Sequence, residues 1–308
     1  MPMNLPFFIL ATAALLAVIS DRSAAAPGGG PASDDPLAAR ARSVLHQVLK
    51  TEQSWVKVHA AEALVEAGEA AGMRKLFLGE LSGTSLPSHR IGVWRLLAST
   101  AHSPEERATW VAKIEQVFLD PTDPDRLRAL ESLCKLRCRL AGESLETVRA
   151  LAAKTSLGPT QLPWWALQLA GDPEALRHIA AALASADPEV RKRAGFALRW
   201  LHVVDPAVQR ALAVAADAEP DGTESYPFVL GAALTLEADP TRAAVWGARL
   251  EQALRTGSAN AGFEACETLK HCLTPADRPG LADLLDRPEG DVRVGVAATI
   301  LYLGQRGH

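Results

Sequence analysis

Apolar residues recur along this chain at helical spacing, in segments that are separated by short polar breaks and that fall into eight successive pairs. The first helix of each pair is predicted over residues 37–50, 70–81, 104–118, 143–154, 173–185, 206–217, 240–256 and 276–285. The second helix is predicted over residues 53–67, 88–99, 125–139, 161–170, 188–202, 225–237, 259–272 and 291–303. No segment alternates apolar and polar residues with the period of two that a half-buried strand requires, so the pattern predicts an all-α protein.

Asp-Pro dipeptides mark several of the predicted helix starts, at 35–36, 120–121, 123–124, 172–173, 187–188, 205–206 and 239–240. An aspartate before a helix accepts hydrogen bonds from first-turn amides, and a proline in the first turn loses no helical hydrogen bond. Ser103-Pro104-Glu105-Glu106 has the spacing of a capping box.

A short phrase repeats in the second helix of each pair: a basic residue, then small residues, then an aliphatic one. Its clearest copy runs from Val190 to Leu198, and close copies run from Val56 to Leu64 and from Val292 to Ile300. The eight anchor positions are 57, 90, 126, 163, 191, 228, 262 and 293, which lie 28 to 37 residues apart. A period of this length marks a stacked repeat protein, in which small residues let neighbouring helices approach closely.

The phrase resembles the second helix of a HEAT repeat, and the resemblance covers residues 37–304. It implies a right-handed α-solenoid of about eight stacked antiparallel helix pairs, with the second helices lining a concave surface. A looser similarity, carried by residues 57–62 and 90–95, is to exported bacterial HEAT-type domains that accompany sodium/solute symporters. We therefore expect a solenoid domain over residues 35–304, a tail over 305–308, and a membrane transporter among the candidate partners.

The first residues of the chain predict export. Leu5 to Ser20 is apolar and uncharged, and the small residues Ser23-Ala24-Ala25 suit signal-peptidase cleavage, so residues 1–25 are interpreted as a signal peptide. A retained membrane anchor is the alternative, but the apolar stretch falls short of the ~20 residues that span a bilayer. Residues 26–34 have the composition of a flexible linker. The expected location is periplasmic or secreted.

Charge and cysteine placement narrow the partners and the covalent chemistry. A net charge of −4 opposes nucleic-acid binding, which needs a basic face. Cys134 and Cys266 lie four repeats apart, beyond the ~7 Å Cα separation that a disulfide allows. Cys134 and Cys138 lie one turn apart on one helix, and Cys266 and Cys272 lie toward the buried side of theirs. We expect buried thiols rather than disulfides.

The stripe two, five and nine residues after each anchor should face away from the core. The stripe is polar in the first, third and seventh repeats, and Arg128 belongs to it in the third. In the fourth and fifth repeats it carries Trp165, Phe196 and Trp200, with Arg193 beside them. Aromatic and arginine residues are favoured interface anchors, so these five residues form a candidate partner-binding patch. The alternative is that the tryptophans cover neighbouring helices and complete the core.

The basic anchors and the apolar last helix each lead to a further prediction. The basic anchors are expected to pair with acidic residues such as Asp125, Asp187 and Asp291 rather than to bind a ligand; they are Lys57, Arg90, Arg126, Arg191 and Arg293. The last helix is apolar almost all round, although a solenoid end needs a polar cap. We therefore expect this end to dock against a second copy or another protein through Val294, Leu301 and Tyr302.

The sequence shows no clear signature of an enzyme built on HEAT-like repeats. No histidine is followed by glutamate, as in the metal-dependent hydroxylases of this type, and DNA glycosylases of this type need a basic groove. Bilin lyases of this type act inside the cell, against the predicted export. Ser132 and Lys135 match a Ser-x-x-Lys pattern with no companion motif, which favours chance.

The sequence therefore predicts an exported, non-catalytic scaffold, without cofactor or metal, that binds a protein or peptide in its groove. The alternative is an enzyme, an enzyme subunit or a carbohydrate-binding module whose site is assembled from groove residues.

Overall fold

A computed structural model of the 308-residue chain describes residues 35–82, 88–154 and 160–306. Those residues form helices and connecting turns, with no strand among them. The first elements of the eight pairs are α1 (Pro36–Thr51), α3 (Ala70–Leu81), α5 (Pro104–Leu119), α7 (Gly142–Lys154), α9 (Ala175–Ala182), α11 (Pro206–Ala218), α13 (Pro240–Thr256) and a 3₁₀ segment (Pro275–Asp286). The second elements are α2 (Trp55–Glu66), α4 (Arg90–Ser99), α6 (Arg126–Lys135), α8 (Leu162–Ala170), α10 (Pro188–Leu201), α12 (Tyr226–Leu234), α14 (Ala259–Cys272) and α15 (Gly290–Arg306). The protein is an all-α helical repeat solenoid.

Side-chain caps define many of the helix starts. The Asp205 carboxylate accepts hydrogen bonds from the amides of Ala207 and Val208 at 2.8 and 3.0 Å. The same arrangement at Asp35, Asp187 and Asp239 confirms the prediction from the Asp-Pro dipeptides there. The capping box at residue 103 forms only in half. Ser103 Oγ accepts from the Glu106 amide, whereas the Glu106 carboxylate accepts from the amide of His102.

Several elements differ from the sequence prediction, and two of the differences have a clear local cause. Helix α6 ends at Lys135 rather than at 139, because Arg137 adopts a φ of +54° and reverses the chain. Helix α12 ends at Leu234, three residues early. The first element of the last pair is a 3₁₀ segment rather than an α-helix, and Pro279 inside it removes an amide from the α-helical ladder. The predicted signal peptide and linker, residues 1–25 and 26–34, lie outside the described residues.

Small residues bring neighbouring second helices into close contact, as the repeated phrase predicts. A Cβ atom added to Gly195 on α10 would lie 2.8 Å from the Phe228 carbonyl group on α12. One added to Gly92 on α4 would lie 2.8 Å from Val58 on α2. Since each second helix packs against those before and after it, the core runs continuously through all repeats.

The array closes into a ring. Contacts link the second helices in the order α2, α4, α6, α8, α10, α12, α14, α15, and α15 then packs against α2 and α1. Helix α1 also contacts the 3₁₀ segment. The last pair therefore meets the first pair through the same elements by which sequential pairs meet. Eight second helices form the inner wall of the ring, and the first elements lie outside them.

Ion pairs and hydrogen bonds reinforce the closure. Arg278 donates to the Asp35 carboxylate at 2.5 Å, and Arg40 donates to both carboxylate oxygens of Asp286 at 2.7 Å. On the inner wall, Asp291 at the start of α15 lies 3.1 Å from His59 Nδ1. These pairs join residues more than 200 positions apart in the chain.

The closure overturns the prediction that the apolar last helix docks against another molecule. Val294 and Leu301 are buried within the chain itself, because α1, α2 and α14 pack around α15. Tyr302 is half-buried, and its hydroxyl lies 3.1 Å from His271 Nδ1. The solenoid has no free apolar end here, and α15 continues to Arg306, two residues into the predicted tail.

The basic anchors mostly pair with groups of the chain itself; Asp125 is among their partners as expected, whereas the other partners differ from those expected. Lys57 pairs with Glu80, and Arg90 pairs with Asp123 at 2.7 Å and with Asp125 at 3.5 Å. Arg126 donates to the Phe118 carbonyl at 2.9 Å.

Arg191 pairs with Glu219 rather than with Asp187, which caps its own helix. Asp291 pairs with His59, and no side-chain hydrogen bond or ion pair of Arg293 is found in the described ranges.

All four cysteines are free thiols. Cys134 and Cys266 are buried as predicted, while Cys138 and Cys272 are half-buried. Burial raises the pKa of every one of these thiols, to about 12 at Cys272, so they are poor nucleophiles at neutral pH.

Candidate functional site: the central lumen

The inner wall of the ring surrounds a lumen that contains two connected cavities. The first, of about 300 Å³, lies toward the starts of the inner helices, where Trp55, Lys192 and Asp291 belong to first turns. The second, of about 260 Å³, lies toward their ends, where Glu66 and Lys270 belong to last turns. Both cavities are lined by His59, Arg95, Lys135, Phe196, Phe263 and Glu264. The two cavities therefore adjoin and share part of their walls.

The charges of the lining are unevenly distributed. The second cavity has equal numbers of basic and acidic side chains, whereas the first has five basic and three acidic ones. The basic residues of the first cavity are Arg95, Arg128, Lys135, Lys192 and Arg193, and the acidic ones are Glu131, Glu264 and Asp291. Since the whole chain carries a net charge of −4, this positive excess is a local property of one end of the lumen.

Deep in the lumen, each cation has a carboxylate partner. Arg95 Nη2 lies 2.7 Å from the Glu62 carboxylate, and Lys135 Nζ lies 2.8 Å from that of Glu131. Arg199 pairs with Glu264 and donates to the Glu264 carbonyl at 3.1 Å. The Arg95 and Arg199 pairs cross between repeats, whereas the Lys135 pair lies within α6, and all three fix side chains of the wall.

The buried carboxylates of the lumen are held in their ionised form. Burial alone would raise the pKa of Glu131, but the charges of Lys135, Arg95 and Arg193 outweigh burial and lower it. Burial opposes ionisation of Glu267 in the same way, yet Lys270 and Arg199 lower its pKa to about 2. A carboxylate with a lowered pKa is a poor general acid at neutral pH.

At the mouth of the first cavity the cations share their partners. Glu189 accepts from Arg193 at 2.8 Å and also pairs with Lys192 at 3.4 Å. Asp125 lies 3.5 Å from Arg128 and 3.5 Å from Arg90. The side chains of Arg128 and Arg193 are 56% and 41% exposed. Their guanidinium groups thus keep donors available to solvent or to a ligand.

The predicted aromatic patch is assembled, but its burial differs from the prediction. Trp165 and Phe196 pack edge to face with centroids 5.9 Å apart, and Trp165 and Trp200 stack at 6.2 Å. Trp165 is only 1% exposed and borders neither cavity, and Phe196 is also buried. The expectation of an exposed stripe is wrong for these two residues, because side chains of neighbouring repeats meet on the inner wall of a closed ring. Phe196 lines both cavities with its remaining edge, and Trp200 lines the second.

Sequence reasoning missed several lumen residues. Trp55 and Phe263 lie outside the stripe positions, yet both line the first cavity. Arg95 lies five residues after the anchor Arg90, so the stripe rule itself could have found it. Lys192 directly follows the anchor Arg191, and only the observed orientation of α10 brings it to the cavity.

The Ser-x-x-Lys pattern, the remaining sequence feature that could indicate catalysis, is explained by packing. Ser132 Oγ accepts a hydrogen bond from Arg95 at 3.2 Å, and Lys135 is occupied by Glu131, so the Ser-x-x-Lys pattern has packing partners. Within the residues that the structure describes, no group of three or more histidine, cysteine or acidic side chains is placed to hold a metal ion. Across those same residues, no helix has the length and apolar character needed to cross a membrane.

Comparison with known proteins assigns the chain to no family. No protein-family model matches the chain, and no curated protein matches it. Among solved structures, the designed armadillo repeat protein YIII(Dq)4CqI is similar at 18% identity over 68% of this chain and 99% of that chain, with a TM-score of 0.33. The chain is a helical repeat protein by its own architecture. The HEAT type and the similarity to symporter-associated domains stay predictions from the sequence.

Proposed function

We propose that the protein is a non-catalytic scaffold that binds a short extended segment of a partner protein in the lumen of its ring. The observation that carries the proposal is the lumen itself, which holds two adjoining cavities whose walls combine fixed ion pairs, exposed cations and aromatic rings. In this proposal the protein acts in the periplasm or outside the cell, as the apolar segment from Leu5 to Ser20 predicts, and a membrane transporter is one source of the segment.

The size of the lumen favours a peptide segment over a folded domain. Cavities of about 300 and 260 Å³ lie at the lower end of the ~300–1,000 Å³ range of ligand pockets. Helix α2 has 12 residues, which corresponds to a length of about 18 Å. An extended chain covers this length with about six residues. A segment of that size can thread the ring, and a domain cannot.

The aromatic rings of the lumen oppose carbohydrate binding. A sugar needs a free ring face to stack on, but the guanidinium groups of Arg95 and Arg128 lie 5.6 and 5.5 Å from the Trp55 ring centroid. The Phe263 ring is stacked with the His59 ring at 4.5 Å. The lowered pKa values of Glu131 and Glu267 likewise support a non-catalytic role, because neither group is suited to donate a proton at neutral pH.

The test is selection from a random library of peptides of about eight residues, long enough to span the lumen, followed by affinity measurement for two variants. Ser99→Trp places a large side chain at the second cavity, at an exposed position that tolerates it. Val214→Trp is the matched control, since Val214 lies on the outer helix α11 and is 71% exposed. We expect Ser99→Trp to abolish binding and Val214→Trp to retain it, with equal thermal stability. If no peptide is selected, or if both variants bind equally well, lumen binding is refuted.

A further inference from the structure

We infer that the end of the lumen at which the inner helices begin is a carboxylate-binding subsite, formed by Arg128, Lys192 and Arg193. It would select an acidic peptide segment and set the direction in which that segment threads the ring. This inference rests on the proposed function and names the chemistry that the lumen recognises.

Among the side chains that line this end, cations outnumber carboxylates, because the carboxylate partners of Arg128, Lys192 and Arg193 lie outside the lining. Glu189 is the shared partner of Lys192 and Arg193. The second carboxylate near Lys192 is Glu224, at 4.0 Å, and it also accepts hydrogen bonds from Ser258 and Asn260.

Arg128 likewise shares its carboxylate partner, because Asp125 also pairs with Arg90. Three cations at the mouth thus depend on carboxylates that are already divided among several donors. An incoming carboxylate would supply the missing acceptors, and charge-assisted hydrogen bonds of this kind are the strong ones.

The three acidic side chains of the first cavity pair with groups other than Arg128, Lys192 and Arg193. Glu131 is paired with Lys135, Asp291 with His59, and Glu264 with Arg199 of the second cavity. Burial raises the pKa of Glu131, whereas Lys135 and, after it, Arg95 and Arg193 lower it, so Glu131 stays ionised beside these cations.

Aromatic rings hold two of the three cations in place. The Arg128 guanidinium lies 5.5 Å from the Trp55 ring centroid, and the Lys192 ammonium lies 5.4 Å from that of Phe228. Such cation–π contacts restrict long side chains and lower the entropy lost when they bind a ligand.

The two ends of the lumen differ enough to define a direction. The second cavity has a balanced charge and includes the apolar side chains of Ala63, Val65, Leu96, Leu136 and Val294 in its wall. A segment with carboxylates at one end and apolar residues at the other therefore fits in one orientation, with its acidic end at Arg128, Lys192 and Arg193.

The experiment uses one peptide family and measures affinity by fluorescence anisotropy. The parent peptide has about eight residues, with aspartates at one end and leucines at the other. Matched peptides replace aspartate by asparagine or by lysine, and each is made with a free or an amidated C-terminus. Replacement of aspartate should weaken binding if side-chain carboxylates are recognised, and amidation should do so if the terminal carboxylate is recognised. Either result supports the subsite.

Protein variants locate the effect. Arg128→Gln and Arg193→Gln should each weaken the acidic peptide about tenfold, which is the loss of one charge-assisted hydrogen bond, and should leave the asparagine peptide unchanged. Arg177→Gln is the matched control, because Arg177 lies on the outer helix α9 and is 73% exposed.

Two outcomes distinguish failure of the carboxylate subsite from failure of the proposed function. If neither the replacement of aspartate nor amidation of the C-terminus weakens binding, the carboxylate subsite is wrong while peptide binding stands. If none of the peptides binds, and the random library also yields none, the proposed function itself fails.

Discussion

At the scale of single residues, one repeat position has different roles in different copies. Arg191 donates to both carboxylate oxygens of Glu219 at 2.8 and 2.9 Å, and also to the carbonyl groups of Ser185 and Ala186. Arg293 occupies the same position in the last repeat, but its buried Nε has no hydrogen-bond partner. The repeated phrase predicts a basic residue at both places, yet the partner depends on the loop that precedes the neighbouring helix.

Replacement of Arg191 by alanine should destabilise the fold strongly. The change leaves the buried Glu219 carboxylate without its cation, and removal of one partner of a buried pair costs roughly 3 kcal/mol. Arg293→Ala is the matched control and should cost less than about 1 kcal/mol. Urea unfolding followed by circular dichroism measures both. Equal losses of stability would show that the network around Arg191 has no special role.

Glu267 and Glu251 should give opposite dependences of stability on pH. The pKa of Glu267 is about 2 in the folded chain, so its ionised form stabilises the protein above the ordinary carboxyl pKa of 4.5, and this contribution fades as the pH falls toward 2. The cost of Glu267→Gln should therefore shrink as the pH falls. Burial raises the pKa of Glu251, so its ionised form destabilises the fold, and Glu251→Gln should be most favourable at neutral pH. Urea unfolding of both variants across this pH range tests the signs, and parallel curves for the two would contradict them.

At the scale of elements, helix positions and stacking could be predicted from the sequence, while side-chain exposure could not. The apolar period and the Asp-Pro caps place helices such as α11 and α13 within one residue of their observed bounds. The burial of Trp165 was not predictable, because its environment is supplied by Phe196 and Trp200 of the next repeat and depends on how far neighbouring inner helices rotate. Helical periodicity describes one helix and does not contain that rotation.

The close approach of α10 and α12 depends on Gly195. A Cβ at this position would lie 2.8 Å from the Phe228 carbonyl group, which is backbone and cannot turn aside. Gly195→Ala should therefore push the two helices apart and cost about 1–3 kcal/mol, as overpacking does. Gly79 on the outer helix α3 is the matched control. A Cβ there meets no atom within 4 Å, so Gly79→Ala should stabilise the protein by up to about 1 kcal/mol. A neutral Gly195→Ala variant in thermal unfolding would contradict this packing.

At the scale of the whole molecule, ring closure explains why the apolar last helix needs no external partner. The sequence shows that α15 is apolar, but the identity of the covering surface depends on small rotations that accumulate over eight repeats. The polar residues that seal the joint, such as Arg40 and Asp286, look like ordinary surface charges in the sequence. Closure also converts a concave groove into a lumen, so the proposed site for a partner is enclosed by the ring and is not an open surface.

The most direct test of the closed ring is an engineered disulfide between Val56→Cys on α2 and Gly290→Cys on α15. A Cβ added to Gly290 lies 3.1 Å from Val56 Cγ1. In a disulfide, one sulfur lies about 3.0 Å from the Cβ of the other cysteine, a distance that follows from the S–S bond length. The control is the pair Gly262→Cys and Val292→Cys, with a corresponding distance of 2.9 Å, which joins the sequential helices α14 and α15.

Mild oxidation, followed by proteolysis and mass spectrometry, gives the measurement. A closed ring predicts that residues 56 and 290 form an intramolecular disulfide as completely as the control pair does. An array that is open in solution would oxidise only the control pair and leave the thiols at 56 and 290 free, and that result would contradict the ring and the lumen built on it.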